Sequence, residues 1–272
     1  MIGKMKIGNR EFKFNRHTYV MGILNVTPDS FSDGGNYNQM ERAVEHARQM
    51  IEEGADIIDV GGESTRPNYT QISDEEEIAR GVPVIKALRK KFDVPISIDT
   101  YKSKVAEAVI LAGADLVNDI WGLKYDREMA GIVKKNYVAV CMMHNRENQN
   151  YKDFRRDIIA DLQECMEIAK DAGIDKNKII LDPGVGFAKT YEMNLQVIKY
   201  LEDLYQFDVP VLLGTSRKSV VGLTLDLPVT EREEGTIATT VLAVQKGCQF
   251  VRVHNVKGNV RAIKMAEAVL QS

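Results

Sequence analysis

The sequence is poor in the residues that mark several classes of protein. Its three cysteines, Cys141, Cys165 and Cys248, are an odd, scattered set that fits a reducing compartment rather than a disulfide framework. The formal net charge is -3, which gives no basic footprint for nucleic acid. No run approaches the roughly 18 apolar residues of a membrane span, and Met1 to Asn9 lacks the apolar stretch of a secretory signal. These absences predict a cytoplasmic protein that binds neither nucleic acid nor a membrane.

What the sequence does contain is a regular alternation of short apolar runs with longer amphipathic runs. This alternation is typical of βα units and a parallel sheet. No linker, low-complexity segment or charge block divides the 272 residues, so one domain spanning 1–272 is predicted. The predicted strands are Tyr19 to Leu24, Ile57 to Val60, Ile96 to Ile98, Leu116 to Val117, Val138 to Met142, Ile179 to Leu181, Val211 to Leu213 and Phe250 to Val253.

Helical spacing of apolar residues fills the intervals between these strands. The predicted helices are Met40 to Glu53, Asp74 to Lys91, Lys102 to Ala112, Arg127 to Lys135, Phe154 to Ala172, Glu233 to Gln245 and Val256 to Leu270. Four helices are followed by a glycine where a left-handed cap belongs, at Gly54, Gly113, Gly173 and Gly247. Eight repeated units in a chain of this length favour a single (β/α)8 TIM barrel of the α/β class over an open doubly wound sheet.

The first residues are predicted to form a separate small element. Lys4 to Phe14 carries a turn signal at Gly8-Asn9 and reads as an N-terminal β-hairpin that plugs the barrel floor. Function in such a barrel collects at the opposite end, where the strands reach their carboxyl ends.

Those carboxyl ends are unusually polar in this sequence. The residues there are Asn25, the run Gly61 to Pro67, Asp99-Thr100, Asn118-Asp119, Met143 to Asn145, Asp182 to Gly184, Gly214 to Ser219, and Arg252 with His254-Asn255. One such residue would be a helix or turn cap, and this remains the alternative for Asp99 and Asp182 taken singly. Polar groups at every strand end instead indicate a common site at one mouth.

The residue types at this mouth indicate two kinds of ligand. Asp99, Asn118 and Asp182 supply acceptors and an amide that suit a flat, nitrogen-rich heterocycle such as a pterin or purine edge. Arg66, Lys218, Arg252 and His254 form a cationic set that suits an anionic leaving group such as pyrophosphate. Either arginine could instead pair with a surface acid, and His254 could be a structural histidine. Cys141 and His144 form a lone C-x-x-H, too weak a pattern to predict zinc.

A long polar loop after the first barrel strand is the other distinctive feature. It follows MGILN, contains Pro28, Gly34 and Gly35, and carries a lone aromatic, Phe31, which we expect to close over a ligand. An ordinary strand-to-helix connection is the alternative. Asn25, at its start, could add an oxygen ligand to a magnesium ion that keeps most of its waters.

Taken together, these motifs resemble those of the dihydropteroate synthase family over nearly the whole chain. MGILNVTPDSFSDGG, GGESTRP, SIDTYK, VNDIWG, MMHN, LDPGVGFAKT, GTSRKS and RVHNV occur in the family's order, each after a predicted strand. The sequence departs from some members at three positions, Asn68, Ala188 and Asn255, where they carry Gly, Gly and Asp. The resemblance implies condensation of 6-hydroxymethyl-7,8-dihydropterin pyrophosphate with para-aminobenzoate, giving 7,8-dihydropteroate and pyrophosphate.

The resemblance also implies a role for each matching residue. Pterin would be bound by Asp99, Asn118, Ile120, Met143, Asp182, Phe187, Lys218 and Arg252, and pyrophosphate by Asn25, Arg66, Arg252 and His254, with Mg2+ on Asn25. Para-aminobenzoate would contact Phe31, Thr65, Pro67, Lys218 and Ser219, and the catalytic set would be Asp99, Lys218, Phe31, Asp33 and Arg66. The mouth offers no serine or cysteine paired with a base, so charge stabilisation and positioning are expected rather than covalent catalysis.

Two other functions and an assembly remain open from sequence. A methyltetrahydrofolate–corrinoid methyltransferase would share the pterin contacts, and a non-catalytic paralogue would bind pterin to assist a partner. A homodimer could form through Ile237, Val241, Ala262, Met265 and Val269 of the last helices, although the same residues could pack against the barrel.

Overall fold

Eight parallel strands form a barrel in a computed structural model, which describes residues 3–15, 17–26, 36–63 and 71–272, with side chains of 36–39 excepted. The strands are β1 Lys4–Ile7, β2 Arg10–Lys13, β3 Tyr19–Asn25, β4 Ile57–Gly61, β5 Ile96–Asp99, β6 Leu116–Asp119, β7 Ala139–Met143, β8 Ile179–Asp182, β9 Leu212–Leu213 and β10 Phe250–Val253. The helices are α1 Asn36–Glu52, α2 Asp74–Lys91, α3 Ser103–Leu111, α4 Met129–Asn136, α5 Phe154–Asp171, α6 Tyr191–Lys199, α7 Ser219–Leu225, α8 Glu233–Gln245 and α9 Val256–Leu270.

The barrel is closed because the two strands at the ends of the sheet order also pair with each other. The strand order is β8-β7-β6-β5-β4-β3-β10-β9, and a parallel bridge between Leu181 and Val211 joins the two ends. The sequence-based prediction of a (β/α)8 barrel is therefore confirmed. All eight predicted barrel strands are present, and several extend one or two residues further toward the mouth than predicted.

Alternate residues of each strand face two different cores, as the two-residue period of a strand requires. Outward side chains such as Ile58, Val60 and Val117 pack with the helices in the larger apolar core. Inward side chains such as Ile57 and Leu116 belong to a smaller cluster inside the barrel. The row of inward-facing side chains continues along each strand to the mouth. The same two-residue alternation therefore places apolar side chains inside the barrel floor and polar side chains at the mouth.

The predicted N-terminal hairpin is confirmed and lies on the barrel floor. β1 and β2 pair antiparallel, with Ile7 opposite Arg10, and Gly8 turns with a φ of 55°. Phe12 is fully buried, with its ring centroid 4.9 Å from that of Tyr19 and 5.5 Å from that of Phe250. The hairpin therefore seals the end of the barrel opposite the mouth.

The helices agree with the prediction except around β8 and β9. The bounds of α2, α8 and α9 coincide with those predicted, and the glycines after the predicted helices have positive φ, 104° at Gly54 and 119° at Gly113. The structure also contains α6 and 3-10 helices at Lys176–Lys178, Leu201–Phe207 and Val229–Glu231, none of which was predicted. The three cysteines are buried and free. Among the described residues, no helix is both long and apolar enough to cross a membrane.

Candidate active site

Polar side chains replace the apolar floor where the inward rows reach the carboxyl ends of the strands. In β4, Asp59 follows Ile57 by two residues, and in β10 Arg252 follows Phe250 by two. Asp99 at the end of β5 lies in register with Asn118 of β6. Residues that share an inward row and a register lie at one level of the barrel, so these groups meet at the mouth.

Arg252 is held between two carboxylates at the centre of this mouth. Its Nε lies 2.6 Å from Asp59 Oδ2, and its Nη2 lies 2.7 Å from Asp99 Oδ2. Burial would lower the pKa of Arg252, but the two aspartates raise it. Burial raises the pKa of Asp99 to about 7, against the opposing effect of Arg252. The guanidinium is thus fixed in orientation and permanently charged.

The two aspartates each keep one oxygen that no described residue satisfies. Asp59 Oδ1 and Asp99 Oδ1 are buried and have no hydrogen-bond partner within the described ranges. Asn118 Nδ2 lies 3.5 Å from Asp59 Oδ2. The amide oxygen of Asn118 can therefore accept a hydrogen bond from a ligand at the same level of the barrel. A buried acceptor without a donor costs free energy of about 1–3 kcal/mol. The mouth is therefore suited to a ligand that brings N–H groups.

Asp182 and Lys218 form a second pair of opposite charges on the adjacent wall. Asp182 Oδ1 accepts a hydrogen bond from the Gly184 N–H at 2.7 Å, and Lys218 Nζ donates to the Val185 carbonyl at 2.5 Å. Burial raises the pKa of Asp182, and burial lowers the pKa of Lys218 to about 8. A Cβ on Gly214 would lie 3.7 Å from Asp182 Oδ2 and 3.8 Å from Lys218 Nζ. The missing side chain leaves space between the two charges.

Apolar side chains flank these charges without joining the main core. Tyr101, Ile120 and Met143 are buried together, with Trp121 and Phe187 packed on them. Lys218 Nζ lies 5.0 Å from the centroid of the Phe187 ring, within the range of a cation–π contact. A flat ligand with polar edges would meet apolar surface on its faces and charge at its rim.

The remaining predicted residues of the described mouth lie around β3 and β10. Asn25 ends β3 in register with Gly61, and a Cβ on Gly61 would lie 3.4 Å from Asn25 Oδ1. His254 follows β10, and its Nδ1 lies 2.9 Å from Ser216 Oγ, so the expectation that no serine is paired with a base at the mouth is wrong. The same serine oxygen accepts the backbone N–H of His254 at 3.1 Å. Ser219 is exposed at the first position of α7. Each of these groups lies next to a strand end that the sequence had indicated.

Metal ligands are sparse around this mouth. Within the described ranges, no three His, Cys, Asp or Glu side chains come together as a metal site. His144 does not face Cys141 as a zinc ligand would, and instead bonds Asp161 and Lys189. Asn25 supplies one neutral oxygen, which fits a Mg2+ that takes its other ligands from phosphate and water.

Several predicted site residues lie outside the described residues. These are Phe31 and Asp33 in the segment 27–35, and Thr65, Arg66, Pro67 and Asn68 in the segment 64–70. The described residues that flank them, Val26, Glu63 and Gln71, lie next to the carboxyl ends of β3 and β4 or before α2.

One important residue of the mouth was missed by the sequence analysis. Asp59 lies within β4 rather than after it, and it is fully buried against Arg252. The available signal was a single acid in the middle of an apolar strand, Ile57 to Val60, where a charge is costly unless it is paired.

The structure shows the backbone conformation or hydrogen bond at two positions that depart from the family pattern. Ala188 has a φ of 45°, a left-handed conformation that glycine adopts without the steric cost of a Cβ. Asn255 is the N-cap of α9, and its side-chain oxygen accepts from the Gly258 N–H at 3.0 Å, as an aspartate would. Neither departure removes a charged group of the mouth.

Comparisons with known proteins match nearly the whole chain. The family of pterin binding enzymes matches residues 21–254. A dihydropteroate synthase of Clostridium beijerinckii is 58% identical over 268 residues, which are 98% of this chain and 100% of that protein. A crystal structure of dihydropteroate synthase from Clostridium difficile with pteroic acid has a TM-score of 0.93 and 49% identity, covering 96% of this chain and 100% of that one. The Xanthomonas albilineans enzyme with 4-aminobenzoic acid has a TM-score of 0.94 and 39% identity, covering 99% of each chain.

Proposed function

The chain belongs to the dihydropteroate synthase family of pterin-binding enzymes, and from this premise we propose how its mouth carries out the family's reaction. The enzyme condenses 6-hydroxymethyl-7,8-dihydropterin pyrophosphate with para-aminobenzoate, giving 7,8-dihydropteroate and pyrophosphate in folate biosynthesis. The roles of individual residues below are our proposal.

The pterin ring enters the space bordered by Asp99, Asn118 and Asp182. The observation that carries this placement is the buried oxygen Asp99 Oδ1, to which no described residue donates a hydrogen bond. This oxygen therefore needs an N–H donor from a ligand. Asp182 Oδ2 faces the space left by Gly214 and can accept from the amino group and ring N–H of a pterin. A carboxylate that receives two such bonds also fixes the ring's orientation.

The faces of the ring are bounded by apolar side chains and by the two cations. Ile120, Met143 and Phe187 provide a wall, and Arg252 lies over the opposite face. Lys218 reaches the ring edge from the side of Val185. Since both cations are held by carboxylates or a carbonyl, little side-chain entropy remains to be lost on binding.

The pyrophosphate lies beyond the ring, near Asn25, Arg252 and His254, with Arg66 added from the segment 64–70. Arg252 and His254 are separated by one residue at the end of β10, so their side chains serve the same edge of the mouth. Asn25 would hold a Mg2+ that also binds phosphate oxygens and water. When bound, Mg2+ neutralises charge on the leaving group.

Carboxylates border the space proposed for the pterin. Asp99, bonded to Arg252 through Oδ2, and Asp182, beside the space left by Gly214, are the groups that can stabilise positive charge on the pterin methylene carbon. The C–O bond to pyrophosphate breaks with its electron pair on oxygen, and the methylene cation is stabilised by Asp99. The amine nitrogen of para-aminobenzoate then forms the new C–N bond with its lone pair and loses a proton, which the released pyrophosphate can accept. No covalent enzyme intermediate is needed.

Para-aminobenzoate takes its contacts from the two segments outside the described residues and from α7. Phe31, Thr65 and Pro67 would surround the ring, Asp33 would belong to the catalytic set with Phe31 and Arg66, and Lys218 and Ser219 would face the carboxylate. Closure of these segments would exclude water, which would otherwise capture the methylene cation.

The direct test is the substitution Asp182→Asn. Asparagine retains an oxygen for the Gly184 N–H but loses the negative charge, so affinity for the pterin substrate should fall by about 1.5–3 kcal/mol. Calorimetric titration with the pterin pyrophosphate measures this change. The matched control is Asp115→Asn at the floor end of β6, whose carboxylate accepts from the Ile96 N–H at 2.9 Å. Equal affinity of wild-type and Asp182→Asn enzymes would contradict the placement.

Release of pyrophosphate distinguishes this function from its alternatives. It should require both the pterin substrate and para-aminobenzoate. A corrinoid-dependent methyltransferase would release none, and a non-catalytic pterin-binding protein would bind the pterin without turnover.

We also propose that the enzyme works in the cytoplasm, where its free cysteines remain reduced.

We propose further that two copies of the chain associate through α8 and α9. Met265 and Val269 expose 65% and 60% of their surface, whereas Ile237, Val241 and Ala262 are half-buried. Adjacent exposed apolar side chains of this kind are typical of interfaces. Light scattering should give the mass of a dimer, and Met265→Lys should shift it toward the monomer.

A further inference from the structure

Lys189 is a buried lysine in the segment that follows β8. Only 6% of its surface is exposed. Its Nζ lies 2.8 Å from His144 Nδ1, 2.9 Å from the Gly184 carbonyl oxygen and 3.0 Å from the Phe187 carbonyl oxygen. Three acceptors match the three N–H bonds of an ammonium group. Each N–H of the Lys189 ammonium group therefore has a hydrogen-bond acceptor.

The histidine that accepts from Lys189 is itself held by further polar groups. His144 Nε2 lies 2.8 Å from Asp161 Oδ2, and Arg146 Nε lies 2.5 Å from the same oxygen. Burial, with the neighbouring charge of Lys189, lowers the pKa of His144 to about 4. The imidazole is thus neutral, with its hydrogen on Nε2 facing Asp161 and its Nδ1 accepting from Lys189.

The two carbonyls that Lys189 binds bracket the part of the chain that touches the pterin wall. The Gly184 N–H donates to Asp182 Oδ1, and the Val185 carbonyl, between the two, accepts from Lys218. Phe187 carries the aromatic ring beside Lys218 Nζ. Fixing the carbonyls of Gly184 and Phe187 therefore fixes the backbone that orients Asp182, Lys218 and the Phe187 ring.

The same segment has little room to adjust. Gly184 has a φ of 72°, and a Cβ there would lie 2.0 Å from the His144 carbonyl oxygen. The burial that lowers the pKa of Lys189 to about 7 makes a cation here costly. A buried apolar side chain would avoid that cost, but it could not bind two backbone carbonyls.

We propose that Lys189 is a positioning residue for the pterin half of the reaction, which it serves by holding residues 184–187 in the conformation that orients Asp182, Lys218 and Phe187. The proposal rests on the pterin placement given above. It assigns Lys189 no contact with either substrate. Of the residues that it orients, Asp182 and Phe187 serve the pterin alone and only Lys218 also faces para-aminobenzoate, so the loss of Lys189 should affect pterin affinity more than para-aminobenzoate affinity.

The test is Lys189→Met, which retains the length of the side chain and removes its donors. KM for each substrate is measured by pyrophosphate release, and the pterin Kd by calorimetry. KM and Kd for the pterin should rise about tenfold or more, since hydrogen bonds to a charged group are lost. KM for para-aminobenzoate should rise clearly less than KM for the pterin, because Lys218 is the only one of the oriented residues that serves both substrates. Equal rises for both substrates, or no rise, would overturn the proposal.

Lys178→Met is the matched control. Lys178 is half-buried at the opposite end of β8, where its Nζ donates to the Lys6 carbonyl at 3.2 Å. It should change the melting temperature without separating the two KM values. If Lys189→Met does not fold, Tyr151→Phe replaces it, because Tyr151 OH donates to the Ala188 carbonyl at 3.0 Å in the same segment. A rise of about threefold in pterin KM, larger than any rise in para-aminobenzoate KM, is then expected, and an unchanged pterin KM counts against the proposal.

An Asp182→Asn arm separates the two proposals. If Asp182→Asn leaves pterin binding intact, the pterin placement itself is wrong. If Asp182→Asn weakens binding and Lys189→Met does not, only the role of Lys189 is wrong.

Discussion

His144 is a buried imidazole whose neutrality links local structure to stability. Its pKa is lowered from 6.5 to about 4 in the folded chain. Between these values the unfolded chain binds a proton that the folded chain does not. The contribution of His144 to the free energy of unfolding is therefore present above about pH 6.5 and is lost as the pH falls toward 4.

This linkage predicts the behaviour of His144→Gln. Relative to this variant, the wild type should lose about 2 kcal/mol of unfolding free energy between pH 7 and pH 5. Urea unfolding at both pH values measures the difference, and comparison of the two proteins cancels the contributions of titrating groups that do not contact His144. Parallel curves for wild type and variant would mean that His144 does not resist protonation.

Asn25 is the residue on which the magnesium proposal depends. If the ion neutralises the leaving pyrophosphate, a chelator should abolish product formation and added Mg2+ should restore it. Asn25→Ala should need more Mg2+ for half-maximal activity, since it removes a protein oxygen. Full activity in excess chelator, or an unchanged Mg2+ requirement in the variant, would remove Asn25 as a ligand.

At the scale of elements, the β1–β2 hairpin stabilises the barrel without taking part in the reaction. Phe12→Ala should leave a cavity between Tyr19 and Phe250 and lower the free energy of unfolding by about 3–5 kcal/mol. Activity per folded molecule should not change, because the hairpin lies on the floor. Denaturant unfolding and pyrophosphate release measure the two effects. Phe14→Ala, at a half-buried position of the same aromatic group, is the control and should cost less.

Most barrel elements were predictable from sequence, and α6 was not. The strands read as apolar runs because the barrel buries both of their faces, and long helices such as α2 and α9 show a full apolar stripe. α6 was missed although its nine residues make it no shorter than α3 or α4, which were predicted, and although the Thr190 side chain accepts from the Met193 N–H as an N-cap. That capping threonine was the usable signal.

At the scale of the whole molecule, one two-residue period produces both the sealed floor and the charged mouth. The sequence located Asp99, Asn118, Asp182 and Arg252 because strand ends are recognisable. It did not reveal that Arg252 is clamped by Asp59 and Asp99, since that contact joins residues 193 and 153 positions apart. Such pairing depends on barrel closure, which no local pattern encodes.

The central claim is that these charges form a single pterin site, and a crystal structure with 6-hydroxymethyl-7,8-dihydropterin pyrophosphate tests it most directly. We predict the ring between Arg252 and the wall of Met143 and Phe187, with Asp182 and Asp99 Oδ1 accepting its N–H groups and the pyrophosphate toward Asn25 and His254. A ring bound elsewhere, or bound here with both aspartates left without ligand donors, would contradict the account.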